Sequence, residues 1–128
     1  MTTKSIAKDD WKHYLDDYSK SLQSTLVELD VESLELGDQI EADWVHLKGI
    51  SYDPKDDMLY IFTEALRHFI AKPRNIWVVE GSEGPSAIQI EDGEGTKHIV
   101  NLRLSDDETY QKSSRSYRER SKDLGASI

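Results

Sequence analysis

The sequence predicts a mainly β (α+β) fold: an N-terminal amphipathic helix, then a small antiparallel barrel or strongly bent sheet of about six strands, SH3-like or Sm-like. Three observations lead there. Apolar residues repeat with a helical period once, near the N-terminus, and with a period of two over much of the rest. Turn signals separate the alternating runs at short intervals. Proline interrupts one of those runs, as where a small barrel turns a corner.

The helix is expected over residues 6–22. Trp11, Tyr14, Leu15, Tyr18 and Leu22 fall on one face of a 3.6-residue period, with Lys12, His13, Asp16 and Asp17 opposite. Asp9 and Asp10 lie in the first turn, where the helix dipole favours anions. A first strand follows over 24–33. Val27, Leu29 and Val31 alternate there with Glu28, Asp30 and Glu32, and the charges discourage pairing with other chains. The loop after it closes on Gly37.

Residues 37–81 form the central meander. Ile40, Ala42 and Trp44 share one face, but Val45, Leu47 and Ile50 break the phase, so a bulge or bend is expected within 45–48. Asp53-Pro54 marks a turn, because proline presets φ and aspartate bonds its own backbone. Strands are expected over 58–65 and 69–80, with a turn at Leu66-Arg67-His68 and a break over 72–75 around Pro73. Beyond the turn at 81–85, residues 87–91 and 97–104 alternate around Asp92-Gly93-Glu94-Gly95, the clearest hairpin signal in the chain.

The 128 residues fit one domain, expected over 1–104, with 105–128 as a polar, disordered tail. Net charge is −9, and all of it lies in residues 1–104, where 11 basic residues face 20 acidic ones. An acidic chain repels phosphate, so nucleic-acid binding is disfavoured. The absence of cysteine removes disulfides, thiolate metal sites and a cysteine nucleophile. No signal peptide and no apolar run of membrane-spanning length is visible, so a cytoplasmic location is expected, with no membrane partner.

The chain resembles an uncharacterised family of small bacterial proteins, a domain of unknown function. The resemblance rests on Asp9-Asp10-Trp11-Lys12-His13-Tyr14-Leu15-Asp16-Asp17-Tyr18, Gly37-Asp38-Gln39-Ile40-Glu41-Ala42, Leu47-Lys48-Gly49-Ile50-Ser51-Tyr52-Asp53 and His68-Phe69-Ile70-Ala71-Lys72-Pro73-Arg74-Asn75-Ile76-Trp77-Val78, in that order. It covers residues 6–104. It implies one compact domain and a bacterial cytosolic setting, and it supplies no activity, cofactor or site residue.

No candidate site outweighs its ordinary reading. His13, His46, His68 and His98 are scattered; the one metal site to look for gathers His68, Glu64 and an acidic neighbour, yet no HxH or HExxH spacing exists. Asp9-Asp10, Asp16-Asp17, Asp56-Asp57 and Asp106-Asp107 read as solvated charge. Asp53, Asp56 and Asp57 lack the glycine and distal glutamate of an EF-hand calcium loop. Lys48, Arg67, Lys72 and Arg74 near Tyr52 and Trp77 would suit single-stranded nucleic acid, but aromatics in a small barrel are usually core. Trp11, Tyr14 and Tyr18 read as a face packed on the sheet or as a docking face for a partner. The basic run 112–122 reads as an inert tail, a docking arm for an acidic partner, or a segment that folds back on the acidic body.

The expectation is therefore a non-enzymatic interaction module with a protein partner, monomeric or weakly homo-oligomeric, with no catalytic, cofactor or metal residues assigned. An Sm-like RNA-binding domain and a small hydrolase or metal-binding protein are the alternatives. A buried histidine–carboxylate pair in a pocket would favour the hydrolase.

Overall fold

Eight antiparallel strands and one short helix make up the computed structural model, which describes residues 2–105. β1 (Thr2–Ser5) comes first and, after a 3-10 turn at Lys8–Asp10, α1 (Trp11–Lys20) follows. Then come β2 (Thr25–Ser33), β3 (Gly37–Asp53), β4 (Met58–Thr63), β5 (Arg67–Ala71), β6 (Pro73–Gly81), β7 (Gly84–Asp92) and β8 (Lys97–Leu104). They form one sheet in the order β1-β6-β7-β8-β2-β3-β4-β5. The expected polar tail lies outside the described residues, apart from Ser105.

Three expectations are corrected. The sheet has eight strands rather than about six. Nothing in the sequence announces β1: Thr2, Thr3, Lys4 and Ser5 are all exposed, so no alternation marks them. The sheet is also not closed, because its terminal strands β1 and β5 do not pair with each other, and the SH3-like or Sm-like barrel does not form. Finally, the helix is ten residues long, not 6–22. Ile6 N–H donates to the Ile76 carbonyl at 3.0 Å, continuing the pairing of β1 with β6 instead of starting a helix.

The open sheet is nevertheless strongly curled. β5 and β6 stand eighth and second in the order, yet Lys72 alone joins them. Lys72 makes that corner with φ at +53°, a left-handed conformation that costs a non-glycine residue roughly 1–2 kcal/mol. Its N–H is satisfied by the Asp57 carbonyl at 2.9 Å. The break expected over 72–75 is thus one residue long, and Pro73 already belongs to β6.

β3 carries the rest of the bend. It pairs with β2 in its first half and with β4 in its second. Glu41 is an extra residue between Ile40 and Ala42, Asp43 and Trp44 together stand opposite Glu28, and Lys48 is an extra residue between Leu47 and Gly49. Only the bulge at Lys48 lies within the expected 45–48 bend. Each extra residue exchanges the two faces of a strand. This explains why Leu47 is buried together with Ala42, Ile50 and Tyr52, which lie on the opposite parity.

α1 packs where β3 leaves β2. Trp11 and Leu15 are buried, and the Trp11 ring meets Tyr52 edge-on at 5.2 Å between centroids. The indole N–H donates to the Ile6 carbonyl at 2.8 Å. Ser19 Oγ donates to the Ile50 carbonyl at 2.7 Å and accepts from Ile50 N–H at 2.9 Å. A helix hydroxyl thus stands in for a neighbouring strand there. Val27, Leu29, Ile61, Ile70, Val78, Ile88 and Val100 fill the interior between the curled halves of the sheet. Among the described residues no helix is long and apolar enough to cross a membrane.

Candidate functional site at the open edge of the sheet

β5 begins earlier than its sequence suggests because Thr63 closes the preceding turn. The Thr63 hydroxyl donates to the Leu66 carbonyl at 3.0 Å and accepts from the N–H groups of Ala65 (3.0 Å) and Leu66 (2.8 Å). The turn is therefore complete by Leu66, and Arg67 and His68 are free to pair with β4. No strand pairs with the other side of β5 among the described residues.

The outer face of this edge is aromatic. Gly49, Phe62 and Arg67 form one row across β3, β4 and β5, and Ser51, Tyr60 and Phe69 form the next. Tyr60 stacks on Phe62 at 5.9 Å between centroids and takes the edge of Phe69 at 5.3 Å. Phe69 is 54% exposed. With only Gly49 and Ser51 on the β3 side, the rings stand above their neighbours.

The inner face of the same strand holds a chain of polar groups. His68 Nε2 lies 2.9 Å from His98 Nδ1, and His98 Nε2 lies 3.0 Å from Asp92 Oδ2. Asp92 Oδ1 accepts the N–H groups of Glu94 (2.8 Å) and Thr96 (3.1 Å). Burial opposes ionisation of Asp92, but the bonds from His98, Glu94 and Thr96 outweigh it and hold its pKa below the usual value. Burial, and then the neighbouring His98, push the His68 pKa down, against the opposing pull of Glu41. An ionised Asp92 only accepts, so the order of partners assigns the proton of His98 to Nε2 and that of His68 to Nε2. His68 Nδ1 is left with a lone pair.

A cleft of about 430 Å³ lies beside this chain, lined by Phe69, Ile70, Ala71 and Lys72 on one side and Asp92, Gly93, Glu94 and His98 on the other. It is the seam where the curled sheet fails to close. Two ties cross it: the His68–His98 bond, and a close approach at Gly93, where a side chain would meet the Lys72 carbonyl at 3.3 Å. Arg74 steadies the second tie by donating to the Gly93 carbonyl at 2.7 Å.

The other candidates disperse. Glu64 turns to His46, not to His68: its Oε2 accepts His46 N–H at 2.9 Å and lies 3.1 Å from Nδ1. That backbone bond is the chief reason the Glu64 pKa is lowered. Among the described residues no three His, Asp or Glu side chains are placed to hold a metal ion. Asp57 is engaged by the Tyr52 hydroxyl at 2.6 Å and by Lys8 at 3.6 Å. Asp53 caps its own turn through Lys55 N–H at 2.9 Å. Asp16 and Asp17 sit on the helix surface beside Lys12 and His13. Tyr52 is buried against Trp11, and Trp77 pairs with Ser5 and Gln89, so neither forms a platform with Arg67, Lys72 or Arg74.

Two members of the seam, His98 and Asp92, are not singled out as a pair by sequence. One signal does point to them. The period of β8 places His98 on the core face with Val100 and Leu102, and a buried histidine needs a partner.

An uncharacterized protein of Aquifex aeolicus (strain VF5) is 41% identical over 104 residues, covering 80% of this chain and 94% of that protein. No solved structure matches. The matching family model spans residues 2–109, which takes in β1 as well as the 6–104 stretch that carries the resemblance in sequence. The chain belongs to the family of unknown function DUF5335.

Proposed function

We propose that this protein is a small interaction module that binds an extended peptide segment along β5. The observation that carries the reading is the unpaired edge of β5 with Phe69 exposed on it. An added strand gains main-chain hydrogen bonds from an open edge, and alternate side chains supply specificity. Here the Tyr60–Phe62–Phe69 rings offer apolar contact on the outer face. Arg67 stands in register on this edge and residues 67–75 carry no acid, so an acidic strand is preferred. The protein acts as a monomer or weak homo-oligomer in the bacterial cytosol in this reading, and its acidic, cysteine-free composition is compatible with that setting.

The test is an amide NMR titration with two designed peptides that alternate valine with glutamate or with lysine. The glutamate peptide is expected to shift residues 67–71, and Phe69→Ala to weaken it roughly tenfold or more, the ~1.4 kcal/mol of a modest anchor. Binding elsewhere, or indifference to Phe69→Ala, contradicts the proposal.

A second reading is favoured by the Asp92–His98–His68 chain, which leaves a lone pair on a histidine held by a buried carboxylate–histidine pair. That is a general-base arrangement. His98 and Asp92 line the cleft but His68 does not, and the lining includes no serine, threonine or cysteine, so in this reading a water held by His68 Nδ1 is the nucleophile. Hydrolysis of an activated ester that survives His13→Gln but is lost in His68→Gln would support this second reading.

A further inference from the structure

A second groove shares no lining residue with the cleft beside β5. Its larger part, about 540 Å³, runs between β1, α1 and the β6–β7 turn, lined among others by Ile6, Asp10, Tyr14, Asp17, Tyr18 and Pro85. A narrower part, about 230 Å³, continues from Tyr18, Ser21 and Pro85 to Leu102, Arg103 and Leu104. The two parts share Tyr18, Ser21 and Pro85 and so make one channel. It ends at the last residues of β8. Ser105 N–H donates to the Ser24 carbonyl at 2.9 Å, and the two serine hydroxyls meet at 2.7 Å, which pins the chain at the channel mouth.

We propose that residues 106–128 of this chain dock along that channel, with the basic run 112–122 against Asp10, Asp17 and Glu83. The argument rests on where the chain leaves the sheet and on charge. The run holds Lys112, Arg115, Arg118, Arg120 and Lys122 against Glu119 alone, while residues 1–104 carry the whole −9. The channel's own bases are already engaged: Lys4 pairs with Glu80 at 3.2 Å, and Arg103 covers the Trp44 ring at 4.1 Å. Asp10 and Glu83 form no ion pair among the described residues. Tyr14 and Tyr18 line the wall as half-buried rings. Burial, and then Glu80, push the Tyr14 pKa up to about 12, so its hydroxyl stays protonated. Such rings accept the flat guanidinium of arginine.

Reach is adequate. Ten residues lie between Ser105 and Ser116, and eleven steps of random-coil chain would span roughly 18 Å on average. The family match ends at residue 109, so the docking run lies outside it.

The chain has no cysteine, so Ser116→Cys in the full-length protein takes a single nitroxide spin label. At low salt the label is expected to broaden the amides of Ser5, Ala7, Asp10 and Tyr14, at the far end of the channel. Raising the salt to 0.5 M or so should release them, because exposed charges are then screened within a few ångströms. Replacing all five bases of the run with glutamine in the same labelled chain should also restore the signals. Broadening confined to residues near Ser105, broadening along 67–71 instead, or broadening that survives glutamine replacement would each overturn the proposal.

Discussion

His68 on the last strand of the sheet order bonds His98 on the fourth, Nε2 to Nδ1 at 2.9 Å, and this is what ties the open edge of the curled sheet to its middle. The tie depends on pH. Folding lowers the His68 pKa from its ordinary value of 6.5, so below that value the unfolded chain binds more protons than the folded one. Stability is fully present above pH 6.5 and falls as acid titrates His68 in the folded state. Asp92 adds a second loss, beginning below its ordinary 3.8. Thermal melts from pH 7.5 to 5 should show a falling midpoint in the wild type and a flatter one in His68→Gln. An identical slope in both proteins would remove His68 as its cause.

Trp11→Ala should destabilise the protein by about 3–5 kcal/mol, the range for deleting a buried large aromatic. The ring is 2% exposed, touches Tyr52 and bonds the Ile6 carbonyl. Urea unfolding followed by circular dichroism measures it. A loss under about 1 kcal/mol, typical of surface sites, would place the ring on the outside and make it a candidate for docking partners.

What was legible in the sequence was whatever rests on alternation between close neighbours. Lys97–Leu104 shows unbroken alternation and has the bounds the sequence predicts, and Thr25–Ser33 begins one residue later than predicted. The bend in β3 is legible as a loss of phase, although the expected stretch takes in only one of its three register shifts. β1 is illegible because its four residues are all exposed and carry no apolar alternation. The seam is illegible for another reason. His68 and His98 are 30 residues apart and meet only because Lys72 folds β5 back across the sheet. The left-handed φ at Lys72 leaves no mark in composition, since lysine is not a residue that usually adopts it.

Ser19→Ala offers a test of how β3 is held after it parts from β2. The hydroxyl satisfies both the N–H and the carbonyl of Ile50, and alanine would leave both backbone groups without that partner. A cost of about 1–3 kcal/mol is expected, the range for an unsatisfied buried group. Ser21→Ala is the control, because that exposed hydroxyl bonds only helix carbonyls. If the two substitutions cost the same in urea unfolding, the Ser19–Ile50 bridge contributes nothing beyond an ordinary surface bond.

Single-stranded nucleic acid should bind weakly or not at all at physiological salt. The bases that would have to gather do not. Arg74 is turned to the Gly93 carbonyl, Lys72 occupies the corner between β5 and β6, and Tyr52 is buried. The exposed Phe69 and its stacked neighbours form a platform of the kind that accepts bases, but only Arg67 stands in register beside it. Stacking contributes about 1–3 kcal/mol per base, and phosphate neutralisation must supply the rest. A body with net −9 supplies repulsion instead. Fluorescence anisotropy with a labelled oligonucleotide at ~150 mM salt, where screening is physiological, is the measurement. Submicromolar binding lost in Phe69→Ala would show that the aromatic edge serves nucleic acid, and the acidic peptide proposed for β5 would have to be withdrawn.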